Sequence, residues 1–247
     1  MNNQEEVISK FWSEKSKQYK DKEGKNYLFY EYNLRNNLVS DLALKYRKDI
    51  KDKLADFGCG DGFALSKINQ HFDKCYGIDI SQDMVNLASS RLPNVSIMHM
   101  SLNEFNKSVN CIISIGVMEY LAAPDDLFLN GYRVLSKDGV LIFTFNKNNT
   151  LFSNIESAYR YFKRILFPDK IHSLNIQYNR LNMKLLCEKY KFNIIEEYDF
   201  GFRTNAFSFG MLKYIYPIIE ILLDKMLRVK KLRRLISTST VLVLKKY

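Results

Sequence analysis

The sequence predicts an α/β fold built on a mostly parallel sheet, and three observations predict it. From Lys53 onward, short apolar runs alternate with helical stretches. A glycine-rich turn, Asp56-Phe57-Gly58-Cys59-Gly60-Asp61-Gly62, joins the first such run to the first helix after it. Two segments with helical spacing of apolar residues precede that run. Strands alternating with amphipathic helices are the pattern of a parallel sheet, whose neighbouring strands need helical crossovers.

The leading helices are expected at about Glu5–Tyr19 and Tyr30–Tyr46. Strands follow near Lys53–Phe57, Cys75–Ile80, Val95–Met98, Val109–Ile115 and Gly139–Phe145, with helices near Phe63–His71, Gln82–Arg91 and Asp125–Leu135. Ser81 with Asp83, and Pro124 with Asp125 and Asp126, are sound helix starts, because short polar side chains and carboxylates satisfy free amides there. Beyond Lys147 the alternation loosens. Leu151–Phe167 reads as an aromatic-rich helix ended by Pro168, Asp169–Asn179 as a loop, Arg180–Tyr190 as a helix and Phe192–Tyr198 as a strand. Phe207–Leu235 is a long helical stretch broken at Pro217, and Thr238–Lys245 a final strand. The expectation is one domain over residues 1–247, with a core at about 40–147 and 180–247 and cap elements at about 1–35, 148–179 and 207–236.

Composition narrows the class. With 247 residues, 47% of them hydrophobic, the chain can bury a large core, which argues against disorder or a fibre. No run approaches the roughly 20 apolar residues of a membrane-spanning helix, and Met1 to Glu6 is polar and acidic, so the cytoplasm is the expected location. Cys59, Cys75, Cys111 and Cys187 are scattered and do not cluster with His71, His99 or His172, so neither disulfides nor a metal site is expected. Lys and Arg outnumber Asp and Glu by 37 to 27, a net charge of +10 that favours anionic partners without naming one. A compositional bias toward Lys, Asn, Ile, Phe and Tyr accounts for part of that charge equally well.

The glycine turn carries the chemistry. Without Cβ atoms the backbone can turn tightly and a ligand can lie against peptide groups. Asp79, 21 residues after Gly58, ends the next strand, where its carboxylate can accept hydrogen bonds from both hydroxyls of a ribose. The same turn occurs in doubly wound domains that bind dinucleotides. Those prefer a third glycine where this chain has Phe63, so a diphosphate ligand is disfavoured.

These residues, with Ile112-Ile113-Ser114-Ile115-Gly116-Val117-Met118-Glu119-Tyr120-Leu121 and Arg133-Val134-Leu135-Ser136-Lys137-Asp138-Gly139-Val140-Leu141, resemble the class I S-adenosylmethionine-dependent methyltransferases of the small-molecule type. The resemblance covers about Lys53 to Phe145. It implies a Rossmann-like, seven-stranded, mostly parallel sheet with helices on both faces, N-terminal helices and a C-terminal helical cap insertion. It also implies S-adenosylmethionine as cosubstrate and S-adenosylhomocysteine as product. By resemblance, Asp56, Gly58, Cys59 and Gly60 hold the methionyl portion, Asp79 the ribose, and Ile80 and Met84 border the adenine, with Leu102 and Ile115 lining the same site. Tyr19, in Phe11-Trp12-Ser13-Glu14-Lys15-Ser16-Lys17-Gln18-Tyr19, resembles an aromatic that closes over the cofactor; core packing is its other reading. Two departures stand out. An acidic residue is usual after the third strand, where this chain has Ser101 as a neutral acceptor, and a histidine is common where Tyr120 stands.

Methyl transfer from a sulfonium needs chiefly alignment of a desolvated acceptor lone pair, and a base if the acceptor is a hydroxyl or protonated amine. The candidates are His172, Tyr120, Glu119 and Tyr178. Three have a plainer reading: a polar surface residue for His172, core packing for Tyr120, and a surface residue or helix-start carboxylate for Glu119. Tyr27, Tyr30, Tyr32 and Arg35 are placed at the acceptor site by topology alone. The expected acceptor is oxygen or nitrogen of a small metabolite such as a sugar, phosphate-bearing or lipid precursor, with an anionic one favoured by net charge. Nucleic acid is not expected, since no RNA-binding module accompanies the basic residues. The apolar stretch 215–234, ending in basic residues, suits peripheral contact with an anionic membrane or packing as a cap. Two other readings stay open: a cofactor-binding protein without transfer activity that docks through its C-terminal helix, and a nicotinamide-dependent oxidoreductase. The sequence says nothing of oligomeric state.

Overall fold

The computed structural model describes residues 3–19, 27–121, 123–166, 176–202, 218, 221–223, 225 and 230–246. Two helices, α1 (Asn3–Tyr19) and α2 (Tyr27–Tyr46), lead into the alternating part. There β1 (Lys53–Phe57), α3 (Phe63–Ile68), β2 (Lys74–Asp79), α4 (Gln82–Arg91), β3 (Ser96–His99), β4 (Val109–Ser114), α5 (Asp125–Val134) and β5 (Leu135–Asn146) follow in order. The remainder comprises α6 (Leu151–Leu166), α7 (Arg180–Lys189), β6 (Phe192–Phe200), α8 (Lys230–Ile236) and β7 (Ser239–Lys246). Most of Phe207–Leu235, the expected long helix, and most of the Asp169–Asn179 loop lie outside the described residues.

The seven strands form one sheet in the order β3-β2-β1-β4-β5-β7-β6. All neighbours pair in parallel except β7, which runs antiparallel to both β5 and β6. The chain therefore reverses lateral direction between β1 and β4, and a crevice opens at their carboxyl ends.

Strand side chains alternate between two buried faces. Leu54, Ile113, Ile142, Val241 and Val243 meet Val39, Leu42 and Ala43 of α2 and Leu65 and Ile68 of α3 on one face. Ala55, Phe57, Ile112, Leu141, Phe143, Leu242 and Leu244 meet Leu127 and Phe128 of α5 and Met183 and Cys187 of α7 on the other. Runs such as Val140 to Phe143 are apolar throughout because both sides of the sheet are covered. All four cysteines are buried free thiols. No described helix is long and apolar enough to cross a membrane.

Two of the boundaries that differ from expectation have a local cause. Strand β5 begins at Leu135, four residues before the expected Gly139, because Leu135 pairs with Val109 ahead of an irregularity in the ladder between Val109 and Cys111. Helix α3 ends at Ile68 and tightens into a 3-10 turn over Asn69–His71. At the carboxyl edge, buried Lys147 joins three elements. Its Nζ donates to Asp199 Oδ1 at 2.7 Å, Ser237 Oγ at 2.6 Å and the Arg234 carbonyl at 3.1 Å, fastening α8 against the ends of β5 and β6.

Candidate active site

The turn after β1 is built by backbone geometry. The amides of Gly58 and Cys59 both donate to the Ile78 carbonyl, at 2.8 and 2.9 Å, which folds the turn over the end of β2. Gly58 has φ +75°, and a Cβ there would lie 2.3 Å from Val117 Cγ2, so only glycine fits. Gly60, at φ +54°, has nothing within 4 Å of the same position; its open side is part of the cleft.

Asp79 closes the other side of the turn. Its Oδ2 accepts from the Gly60 amide and its Oδ1 from the Ser81 amide, each at 2.9 Å. Burial pushes its carboxyl upward, and these amides pull it back toward the ionised form. Each oxygen keeps a second lone pair for a ligand hydroxyl. Ser81 also caps α4, accepting from the Met84 amide at 3.4 Å, while the Ser9 hydroxyl donates to the Ile80 carbonyl at 2.8 Å and so seats α1 over this end of the cleft.

The cleft has a volume of about 350 Å³, within the range of small-molecule sites. Its lining brings together Asp56, Gly58, Cys59, Gly60, Asp79, Ile80, Met84, Ser101, Leu102, Ile115 and Tyr120 of the residues singled out from the sequence. Asp56 is 2% exposed, and its Oδ1 has no hydrogen-bond partner. Burial, then the neighbouring Asp79 and Asp61, raises its carboxyl well above the usual carboxylate range. An orphaned buried carboxylate beside an open glycine turn fits an ammonium group, and the amide-organised carboxylate of Asp79 fits a diol. An aminoacyl nucleoside carries both.

Further along, the Ser101 amide and hydroxyl both donate to Glu104 Oε2, at 2.7 and 2.6 Å. The hydroxyl also contacts Asn103 Oδ1, so its proton is engaged within the loop and the oxygen's acceptor capacity is what Ser101 has left for a ligand. Tyr120 lines the cleft and also packs edge-on to Trp12 with ring centroids 5.1 Å apart. The ring of Tyr120 therefore packs against α1 and borders the cleft at once.

Two expected catalytic side chains do not reach the cleft. Tyr178 is buried and its hydroxyl donates to the Met118 carbonyl at 3.0 Å; burial raises its pKa to about 12, so it is a structural donor for the turn after β4. Glu119, 2% exposed, points behind the lining, because the 3-10 turn Met118–Tyr120 sets successive residues on different sides. Burial lifts Glu119 to about 7, against a pull downward from Arg35. The side chain of Tyr19 and the whole of His172 lie outside the described residues.

The sequence reading undervalued α2. Tyr32 donates to Asp61 Oδ1 at 2.9 Å, and Arg91 pairs with Asp61 Oδ2 at 3.1 Å, which holds α2 over the glycine turn. One helical turn on, Arg35 enters the cleft beside Gly116. A Cβ on Gly116 would come within 2.8 Å of Arg35 Nη1, and Arg35 Nε is buried without a partner. Among the described lining residues Arg35 is the only Lys or Arg, set against Glu5, Asp56, Asp61, Asp79 and Asp126. The net charge of +10 is thus not concentrated in the cleft, and spacing in the sequence could not show which basic residue reaches it.

Residues 55–143 match the family model described as a methyltransferase domain. The match runs from β1 to β5 and so includes the glycine turn and Asp79. Among curated proteins the chain is similar to malonyl-[acyl-carrier protein] O-methyltransferase of Bacillus cereus, 25% identical over 114 residues. That match spans 44% of this chain and 42% of the relative, so less than half of the curated relative's length is represented. Among solved structures it resembles magnesium protoporphyrin IX methyltransferase from Synechocystis PCC 6803 with bound SAH, with TM-score 0.68 and 14% identity over 99% of this chain and 100% of that one. It also resembles the cyclopropane synthase MmaA2 from Mycobacterium tuberculosis, with TM-score 0.60 and 17% identity over 84% of this chain and 82% of that one. At these identities the structural likenesses are of fold alone.

Proposed function

We propose that this protein transfers the methyl group of S-adenosylmethionine to oxygen or nitrogen of a small-molecule acceptor. The observation that carries the reading is the pairing, across one glycine turn, of the orphaned Asp56 carboxylate with the amide-organised Asp79 carboxylate. In this reading Asp56 receives the ammonium of the aminoacyl tail, Asp79 the ribose diol, and Arg35 the tail carboxylate. Ile80, Met84, Leu102 and Ile115 border the rest, and Ser101 accepts from the adenine amino group. When bound, the cosubstrate supplies an electrophilic methyl on a sulfonium. The protein's part is to exclude water and to align the acceptor.

Tyr120, which lines the cleft and is braced by Trp12, is the described residue best placed to orient an acceptor hydroxyl or amine. His172 remains the proposed base for acceptors that must lose a proton. The B. cereus relative's name describes O-methylation of a carrier-bound malonyl group, which supports oxygen as the accepting atom. An anionic acceptor would be met by Arg35 if the cosubstrate left that cation available. Buried free thiols suit a reducing compartment, and we place the reaction in the cytoplasm.

Calorimetry with S-adenosylmethionine, S-adenosylhomocysteine and NADH tests the cosubstrate: binding of the first two and not the third is expected, and the reverse would replace the reading with an oxidoreductase. Labelled-methyl transfer screened over metabolite pools then tests the activity. Tight cosubstrate binding with no labelled product across oxygen, nitrogen and carrier-bound acceptors would leave a binding protein instead.

A further inference from the structure

Helix α6 is turned the wrong way round for a helix that only packs on its own domain. Its start is fastened by a reciprocal pair: the Thr150 amide donates to Ser153 Oγ at 2.8 Å and the Ser153 amide to Thr150 Oγ1 at 3.2 Å. This sets Ser153 inward and buried, while Leu151, Tyr161, Phe162, Ile165 and Leu166 stand 59% to 70% exposed. Leu151, Ala158, Phe162 and Ile165 recur at helical spacing, so the outward side is a continuous apolar stripe along 16 residues. Beside α6 packs α8, which carries Lys231, Arg233 and Arg234 together with exposed Leu232 and Leu235. The buried Lys147 contacts fix α8 there.

We infer that α6, with α8 beside it, is a docking surface for the anionic face of a lipid bilayer. An apolar stripe of Phe, Ile and Leu beside a basic helix is what lies at a headgroup boundary: the stripe enters the acyl region and exposed Lys231 of α8 meets lipid phosphates, while Arg234 is held to Glu197 and Asp199. A second copy of this chain is the poorer occupant. It would set a charge of +10 against +10, with the basic α8 near its own image, across a stripe only one helix wide. The placement has a consequence for the cleft. Helix α6 leaves the sheet at the end of β5, on the carboxyl edge where the cleft lies, so a docked molecule holds its site close to the membrane surface.

The test is co-sedimentation of the full chain with phosphatidylcholine vesicles, with and without about 30% phosphatidylglycerol, at low and high salt. Expected is pelleting with the anionic vesicles that weakens with salt and falls about tenfold in Phe162→Glu/Ile165→Glu. Far-UV circular dichroism and S-adenosylhomocysteine binding should be unchanged in that variant. If it does not fold, Phe162→Ser/Ile165→Ser carries the same test. Absence of pelleting with anionic vesicles at low salt, or equal pelleting of folded variant and wild type, overturns the inference. So does sedimentation equilibrium showing a dimer that the substitutions dissolve. None of these outcomes bears on the methyl-transfer reading, which stands on a separate site.

Discussion

Asp79 and Gly60 are joined by a 2.9 Å hydrogen bond from the Gly60 amide to the carboxylate, so the turn after β1 and the end of β2 form one unit. In the proposed reading, the side chain that receives the ribose also holds the loop along which the aminoacyl tail runs. Replacing Asp79 therefore removes a ligand and loosens a wall at once. Asp79→Ala is expected to weaken S-adenosylhomocysteine binding by about 1–3 kcal/mol, the cost of lost hydrogen bonds to a charged acceptor, as read by calorimetry. Unchanged affinity in a folded variant would remove Asp79 from the ribose.

The two glycines of the turn should fail in different ways. Gly58→Ala meets Val117 at 2.3 Å and keeps a positive φ, so a stability loss beyond the roughly 1–3 kcal/mol of backbone strain is expected in denaturant melts. Gly60→Ala has open space for its methyl group, but that space is the cleft. A smaller stability loss with a clear fall in cosubstrate affinity is expected; the opposite ranking would contradict the backbone geometry.

Arg35 can be assigned by two ligands that differ only in the tail. Arg35→Met is expected to lower affinity for S-adenosylhomocysteine by about 1.5–3 kcal/mol, the value of a hydrogen bond to a charged group. Methylthioadenosine, which lacks the aminoacyl tail, should bind both proteins alike. If the variant binds both ligands like the wild type but loses turnover, Arg35 serves the acceptor instead.

Glu119 predicts a pH dependence of stability. Its ordinary value is 4.5 and in the folded protein it stands at about 7, chiefly through burial. Below 4.5 both folded and unfolded chains hold the proton, and the full contribution is present. Between 4.5 and about 7 the unfolded chain has released it while the folded one retains it, so stability falls as pH rises and levels off above. Glu119→Gln should remove this slope, leaving the variant on the order of 3 kcal/mol more stable than wild type at pH 8 and about equal at pH 4, by chemical denaturation. Parallel curves for the two proteins would show that the carboxyl titrates normally.

Alternating apolar runs, the glycine turn and Asp79 could be read before any coordinates because each is a local signal: strand period, backbone freedom, or a fixed distance from one strand end to the next. A seven-stranded, mostly parallel sheet was expected through likeness to a family, and the order β3-β2-β1-β4-β5-β7-β6 came only from the structure, since pairing of distant strands leaves no local trace. Glu119 and Tyr120 are adjacent in sequence, and both carry a group that could take a proton. A single 3-10 turn sends one behind the lining and the other into it. Arg35 was placed at the acceptor site by topology alone, and its entry into the cleft beside Gly116 was visible only once α2 crossed the turn.

What the sequence determined alone was therefore the class of fold and the position of the glycine turn that we assign to a nucleoside, because both follow from short-range periodicity and from where glycine is tolerated. What only the tertiary structure decided was which side chains face the cleft, which one cation enters it, and that α6 turns its apolar side outward. Those are properties of elements packed against one another, and each depends on rotations about helix and turn axes that no single stretch of chain specifies.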